Sequence, residues 1–132
     1  MRKGQVALEF MATIGLLLAV GSIFAYVSYD WNRRIFEQQD HSEAGAILGR
    51  LSLEAASAMG AKSGYSKGFY LPSALSSGNL YYILSDPATG TLEVYYRGAS
   101  VSRTFPYKPF QAANLTGGHI TISNQGGTIE FS

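Results

Sequence analysis

The chain contains no cysteine, which excludes disulfide frameworks, thiol nucleophiles, thiol-linked lipid anchors and cysteine-ligated zinc together. Charge is also scarce. Only 14% of the residues are Asp, Glu, Lys or Arg, about half the usual share. Ten basic against nine acidic side chains leave a net +1, so no basic stripe marks a nucleic-acid binder and nucleic acid is not expected as a partner. With 46% apolar residues the chain is no disordered polyelectrolyte either. Histidine occurs twice, at His41 and His119, with no acidic cluster beside either, so no metal site is expected and both read as solvated surface. Ser66 has Gly-x-Ser-x-Gly spacing in Gly64-Tyr65-Ser66-Lys67-Gly68, but at a connector leading into an expected strand rather than at a strand-to-helix turn, so no nucleophile elbow is expected. Gly117-Gly118 and Gly126-Gly127 read as turn glycines rather than a phosphate cradle. Neither an enzyme nor a cofactor is expected.

What charge there is falls unevenly. Residues 1–9 carry Arg2, Lys3 and Glu9, whereas residues 10–29, FMATIGLLLAVGSIFAYVSY, carry none. Residues 30–60 have a net charge of −2 and residues 61–132 a net of +2. A helix of 20 residues is about 30 Å long, the thickness of a bilayer core. Such a helix buried within a soluble domain would need more chain around it than about 100 residues supply. The segment therefore reads as membrane-spanning or membrane-like. Arg2 and Lys3 precede it and Arg33 and Arg34 follow closely, so flanking charge is nearly balanced. The longer C-terminal part is the better candidate for export, which puts the amino terminus inside.

An ordinary secretory signal could be cut after the small residues Ala19 and Gly21, but would leave the apolar SIFAYVSY at a new terminus. A plain signal anchor leaves the preceding residues unexplained. These read Met1-Arg2-Lys3-Gly4-Gln5-Val6-Ala7-Leu8-Glu9-Phe10. A basic leader ending in Lys-Gly, then Gln, and Glu-Phe at the edge of the apolar run resembles the class III signal peptide of archaeal type IV pilin-like proteins. Ala7 stands where that pattern usually has Ser. The resemblance implies cleavage by a prepilin-type signal peptidase between Gly4 and Gln5, with residues 1–4 as the removed leader. Cutting before the apolar helix leaves it on the product and places a new amine on Gln5. Residues i and i+4 share a helix face, so that amine and Glu9 can neutralise one another, or a neighbour's partner group. An acid costs about 2.5–3.5 kcal/mol at the centre of a membrane helix and less near its end, which favours such pairing.

Helical periodicity continues beyond the apolar run. Trp31 and Ile35, then Ala44, Leu48, Leu51, Ala55 and Met59, recur at spacings of three and four, with Arg33, Glu37, Asp40, Glu43, Arg50 and Glu54 assigned to the wet side. One helix over residues 5–60 is expected, with Gly60 as its stop and its stripe against a sheet. The pattern is too short for a heptad coiled coil. After the connector 61–67, strands are expected at 68–75, 79–85, 91–98, 99–105, 119–123 and 128–132, separated by turn signals such as Asp86-Pro87-Ala88-Thr89-Gly90 and Asn124-Gln125-Gly126-Gly127. Residues 106–117, with Pro106 and Pro109, read as a loop. The expected fold class is α+β: a long N-terminal hydrophobic helix, then a β-rich head over 61–132 with a predominantly antiparallel sheet. In Tyr81-Tyr82 and Tyr95-Tyr96, one ring of each pair must face outward.

The resemblance carries functional expectations. The protein would wait in the cytoplasmic membrane and then self-associate into an extracellular filament through its hydrophobic helix, the heads forming a sheath that meets an external surface or cell. Phe10 and the small residues Ala12, Gly15, Ala19, Gly21 and Ala25 would pack the filament core. Asn114-Leu115-Thr116 is an N-glycosylation sequon, expected in a surface loop. An archaellum-type filament subunit, a minor pilin and a membrane-anchored binding module share the leader and remain alternatives.

Overall fold

A computed structural model describes residues 2–106 and 110–132, the side chains of Arg2 and Lys3 apart. Met1 of the expected leader and Pro109 of the expected loop lie outside the described residues. Among the described residues one helix, α1 (Arg2–Gly60), precedes seven strands: β1 (Ser66–Leu71), β2 (Tyr81–Asp86), β3 (Thr91–Tyr96), β4 (Ala99–Thr104), β5 (Ala113–Thr116), β6 (Gly118–Gln125) and β7 (Thr128–Phe131). The fold is α+β with antiparallel sheets. The chain divides into two compact units, one ending at Glu37 and the other spanning Gln38–Ser132.

In the first unit the helix is exposed along the charge-free run, from Phe10 at 64% to Phe24 at 73%. Gly4–Gly60 is long and apolar enough to cross a membrane, and none of its most apolar stretch is buried. Trp31 and Ile35 are exposed as well, at 67% and 49%. The packed stripe expected to begin at Trp31 therefore begins later.

It begins in the second unit. Asp40, Ala44, Ile47, Leu48, Leu51, Ser52, Ala55 and Ala58 are buried, at steps of one, three and four that keep to one helix face. This face joins the inward residues of both sheets, including Phe69, Ile83, Leu92, Val94, Ile120, Ile122 and Ile129, in one core. Met59 packs against its margin. The single sheet expected is two: β1-β6-β7 and β4-β3-β2-β5. All their ladders are antiparallel. An isolated parallel bridge joins Phe110, ahead of β5, to Ile129 of β7.

Strict alternation along β3 and β7 buries Leu92, Val94, Tyr96, Ile129 and Phe131. It also settles the paired tyrosines: Tyr81 and Tyr96 are buried, while Tyr82 is 43% exposed. Pro72 ends β1, as a residue without an N–H should. Within the expected 106–117 loop the structure places an extra strand, β5, at the sheet edge beside β2. Gly117 is required by a close approach rather than a turn. A Cβ there would lie 1.9 Å from the carbonyl oxygen of Pro72, which also accepts a hydrogen bond from the Tyr81 hydroxyl.

Gly60 closes α1 without the left-handed backbone of a glycine cap. The cap comes from the β6–β7 hairpin. Asn124 Nδ2 donates to the carbonyls of Ala58 at 2.8 Å and Ala61 at 3.2 Å, and Asn124 Oδ1 accepts the Gly127 N–H at 2.9 Å.

Candidate functional site

The largest chemically unusual surface is the helix before Asp30. Several of its polar side chains bond within the helix itself. Thr13 Oγ1 donates to the Glu9 carbonyl at 2.9 Å and Ser22 Oγ to the Leu18 carbonyl at 2.8 Å. Gln5 Nε2 donates to Glu9 Oε1 at 3.3 Å, so the two residues expected to neutralise charge share a helix face. This geometry leaves a surface of apolar side chains and internally bonded backbone, the condition for residence in a medium without water.

The small residues divide between faces. At about 100° per residue, Ala12, Gly15 and Ala19 share one side, whereas Gly21 and Ala25 lie on the opposite side. Nothing lies within 4 Å of where a Cβ would stand at Gly15 or Gly21. Both faces are therefore open to close approach by another helix. Phe10, at 64% exposure, stands beside Glu9 at the edge of the run.

The head holds a polar cluster that the helical spacing pointed to but the charge of its central residue concealed. Asp40 was assigned to the wet side; it is fully buried. Its Oδ2 accepts a hydrogen bond from Asn79 Nδ2 at 2.9 Å and faces Arg97 Nη1 at 3.7 Å, while its Oδ1 has no hydrogen-bond partner among the described residues. Asn79 Nδ2 also donates to Ser77 Oγ at 2.7 Å. Three residues along α1, Glu43 Oε2 accepts the Ser76 N–H at 2.7 Å, which holds this carboxyl below its usual range. Together Asp40 and Glu43 fasten the 73–80 segment to the helix.

Arg97 is the one non-glycine residue with positive φ, at 47°, among the described residues. With Gly98 at φ 77° it forms the two-residue turn of the β3–β4 hairpin, a position that normally takes Asn, Asp or Gly. Its reach to Asp40 supplies a reason for arginine there. His41, expected as plain solvated surface, is tied through Nδ1 to the Tyr96 hydroxyl at 2.6 Å. Burial, then the Asp40 carboxylate, push the Tyr96 phenol up, so the phenol keeps its proton. His119 is exposed, and its ring lies across Gly68, whose added Cβ would meet Nε2 at 2.8 Å. Among the described residues no group of three or more His, Asp or Glu converges.

On the outer face of the four-stranded sheet, Tyr82 and Tyr95 stack with centroids 5.0 Å apart and planes 3° apart. Asn114 and Thr116 of the sequon lie on β5, not in the surface loop expected, and both are exposed on that sheet edge. No protein-family model, curated protein or solved structure significantly matches this chain.

Proposed function

We propose that this protein is the structural subunit of an archaeal type IV pilus-like surface filament, assembled through its N-terminal helix. The observation that carries the reading is the stretch from Phe10 to Tyr29: no charge, large apolar side chains exposed, and Gly4-Gln5 and Glu9 just before it. Cleavage between Gly4 and Gln5 removes the basic residues and leaves an amine on the helix face that Glu9 already shares with Gln5. The subunit then resides in the membrane until its helix exchanges lipid contacts for contacts with other copies. Lipid tails are as apolar as the helix, so the gain comes from packing and pairing, for which Ala12, Gly15, Ala19, Gly21 and Ala25 leave room. The head supplies the outer surface, on which the stacked Tyr82–Tyr95 pair and Asn114 are presented for contact and for glycosylation.

Mass spectrometry of the N-terminal peptide in material sheared from whole cells tests this reading. Abundant chains beginning at Gln5 are expected. A chain beginning at Met1 and confined to membranes would make the protein a signal-anchored surface module, and one beginning at Ser22 an ordinary secreted domain.

A further inference from the structure

We infer that Tyr26, Tyr29 and Trp31 form a collar that seats the helix in the head-group layer of an electrically neutral bilayer, fixing how far it is inserted before assembly. The inference rests on the membrane-resident stage of the proposed function. Glu9 and Asp30, the charges that bound the apolar run, are 21 positions apart in α1, about 32 Å of helix, against a hydrocarbon core of about 30 Å. The polar-tipped aromatics cluster at the Asp30 end. Tyr26, Tyr29 and Trp31 are 73%, 72% and 67% exposed, each with an apolar body and one hydrogen-bonding tip, the side-chain type that prefers a membrane–water boundary.

Their placement around the helix identifies the partner. At about 100° per residue Tyr26 and Tyr29 lie on one side, and Trp31, with Phe24 one heptad before it, on the opposite side. A docking protein reads one face, whereas a lipid boundary surrounds the helix. Just beyond, Arg34 Nε pairs with Asp30 Oδ2 at 2.9 Å and Arg33 Nε with Glu37 Oε1 at 2.9 Å. The segment thus offers no unbalanced positive charge to anionic lipid. Neutral or zwitterionic head groups are the chemistry it fits.

Trp31 is the chain's only tryptophan, so its own fluorescence reports the depth. The full chain is reconstituted in phosphatidylcholine vesicles, separated by flotation, and probed with lipids brominated at shallow or deep acyl positions. Expected are an emission blue-shifted from that of indole in water, quenching strongest by the shallow bromines, and no change when salt or phosphatidylserine is added. Vesicle-bound chains whose Trp31 emits as in water and is quenched by aqueous iodide would refute the collar while leaving the membrane reading standing. Strongest quenching by deep bromines would refute it too. A blue-shifted emission that ignores all bromolipids and reverts on dilution with lipid would mean that Trp31 is buried between copies. Failure to float with vesicles would overturn the membrane stage itself.

Discussion

Replacing Asn124 with alanine should cost the head roughly 3 kcal/mol, because one side chain closes the helix and the last hairpin together. Three hydrogen bonds disappear: those from Nδ2 to Ala58 and Ala61, and that from Gly127 to Oδ1. At about 1 kcal/mol net for each, their sum sets the scale. Two features adjust it in opposite directions. The bond to Ala58 is buried, so water cannot replace it, but that carbonyl keeps a longer bond from the Ala61 N–H at 3.3 Å. The backbone bonds of residue 124, its N–H to Tyr65 and its carbonyl from Gly64, do not depend on the side chain and should survive. No basic residue in the last turn of α1 is present to compensate. Asn124→Asp should be worse at neutral pH, since it aims a carboxylate at two carbonyl oxygens. That placement raises the folded-state pKa above the ordinary value of about 3.9, so the Asp variant should recover stability as pH falls through the raised value. Urea unfolding of the full chain in non-ionic detergent, followed by near-ultraviolet circular dichroism, measures both. An Ala variant within about 0.5 kcal/mol of wild type, or an Asp variant no worse than Ala at neutral pH, would refute the capping role, since surface changes usually stay within that range.

The β3–β4 turn and the 73–80 segment allow two smaller tests by the same unfolding assay. Arg97→Gly and Arg97→Ala both lose the partner of Asp40, but only glycine is at ease at φ 47°, so the Gly variant should be the more stable by about 1 kcal/mol; equal stability would mean that the backbone carries no strain there. Glu43 is held below its usual range by Ser76, so its contribution is complete above the unfolded value of about 4.3 and is lost as pH falls through the lower folded value. The stability difference between wild type and Glu43→Gln should therefore narrow on acidification below about pH 4.3, and a difference that ignores pH would remove the carboxylate from the account.

The elements that sequence located well are those whose signals are local. Alternation and turn residues placed β2, β3, β4, β6 and β7 within two or three residues, and the charge-free run placed the exposed helix. β5 was missed because ANLT is short, polar at alternate positions and set in a proline-bearing stretch; it becomes a strand through pairing Leu115 with Ile83 and Asn114 with Leu84. Two sheets rather than one follow from β6 pairing with β1, and β7 with β6, instead of either extending the sheet of β2 to β5. That choice depends on contacts 47 to 57 positions apart, from Leu71 with Gly118 to Ser66 with Ser123, which no local pattern encodes. Asp40 is the more instructive miss. It stands four residues before Ala44, on the very stripe that periodicity identified, and its carboxylate sent it to the wet side. Burial of the charge is supported by Asn79 and Arg97, 39 and 57 positions away, and no local pattern announces either partner.

The same helix therefore follows two rules. Past Asp40 its large apolar positions, Leu53 apart, form a periodic stripe covered by the sheets, and even its terminal carbonyls are met by Asn124. Before Asp30 its apolar positions occupy every side and none is covered. A periodic stripe is answered inside the chain, because a sheet can cover one face. An all-round apolar surface requires a surrounding of the same symmetry, and a lipid bilayer or a bundle of like helices has it. Exposed small residues on both sides suit the bundle, whereas tyrosines and tryptophan on both sides at one end suit the bilayer boundary. The proposed passage from membrane to filament would call on both sets in turn, the aromatics at the boundary first and the small residues in the bundle after.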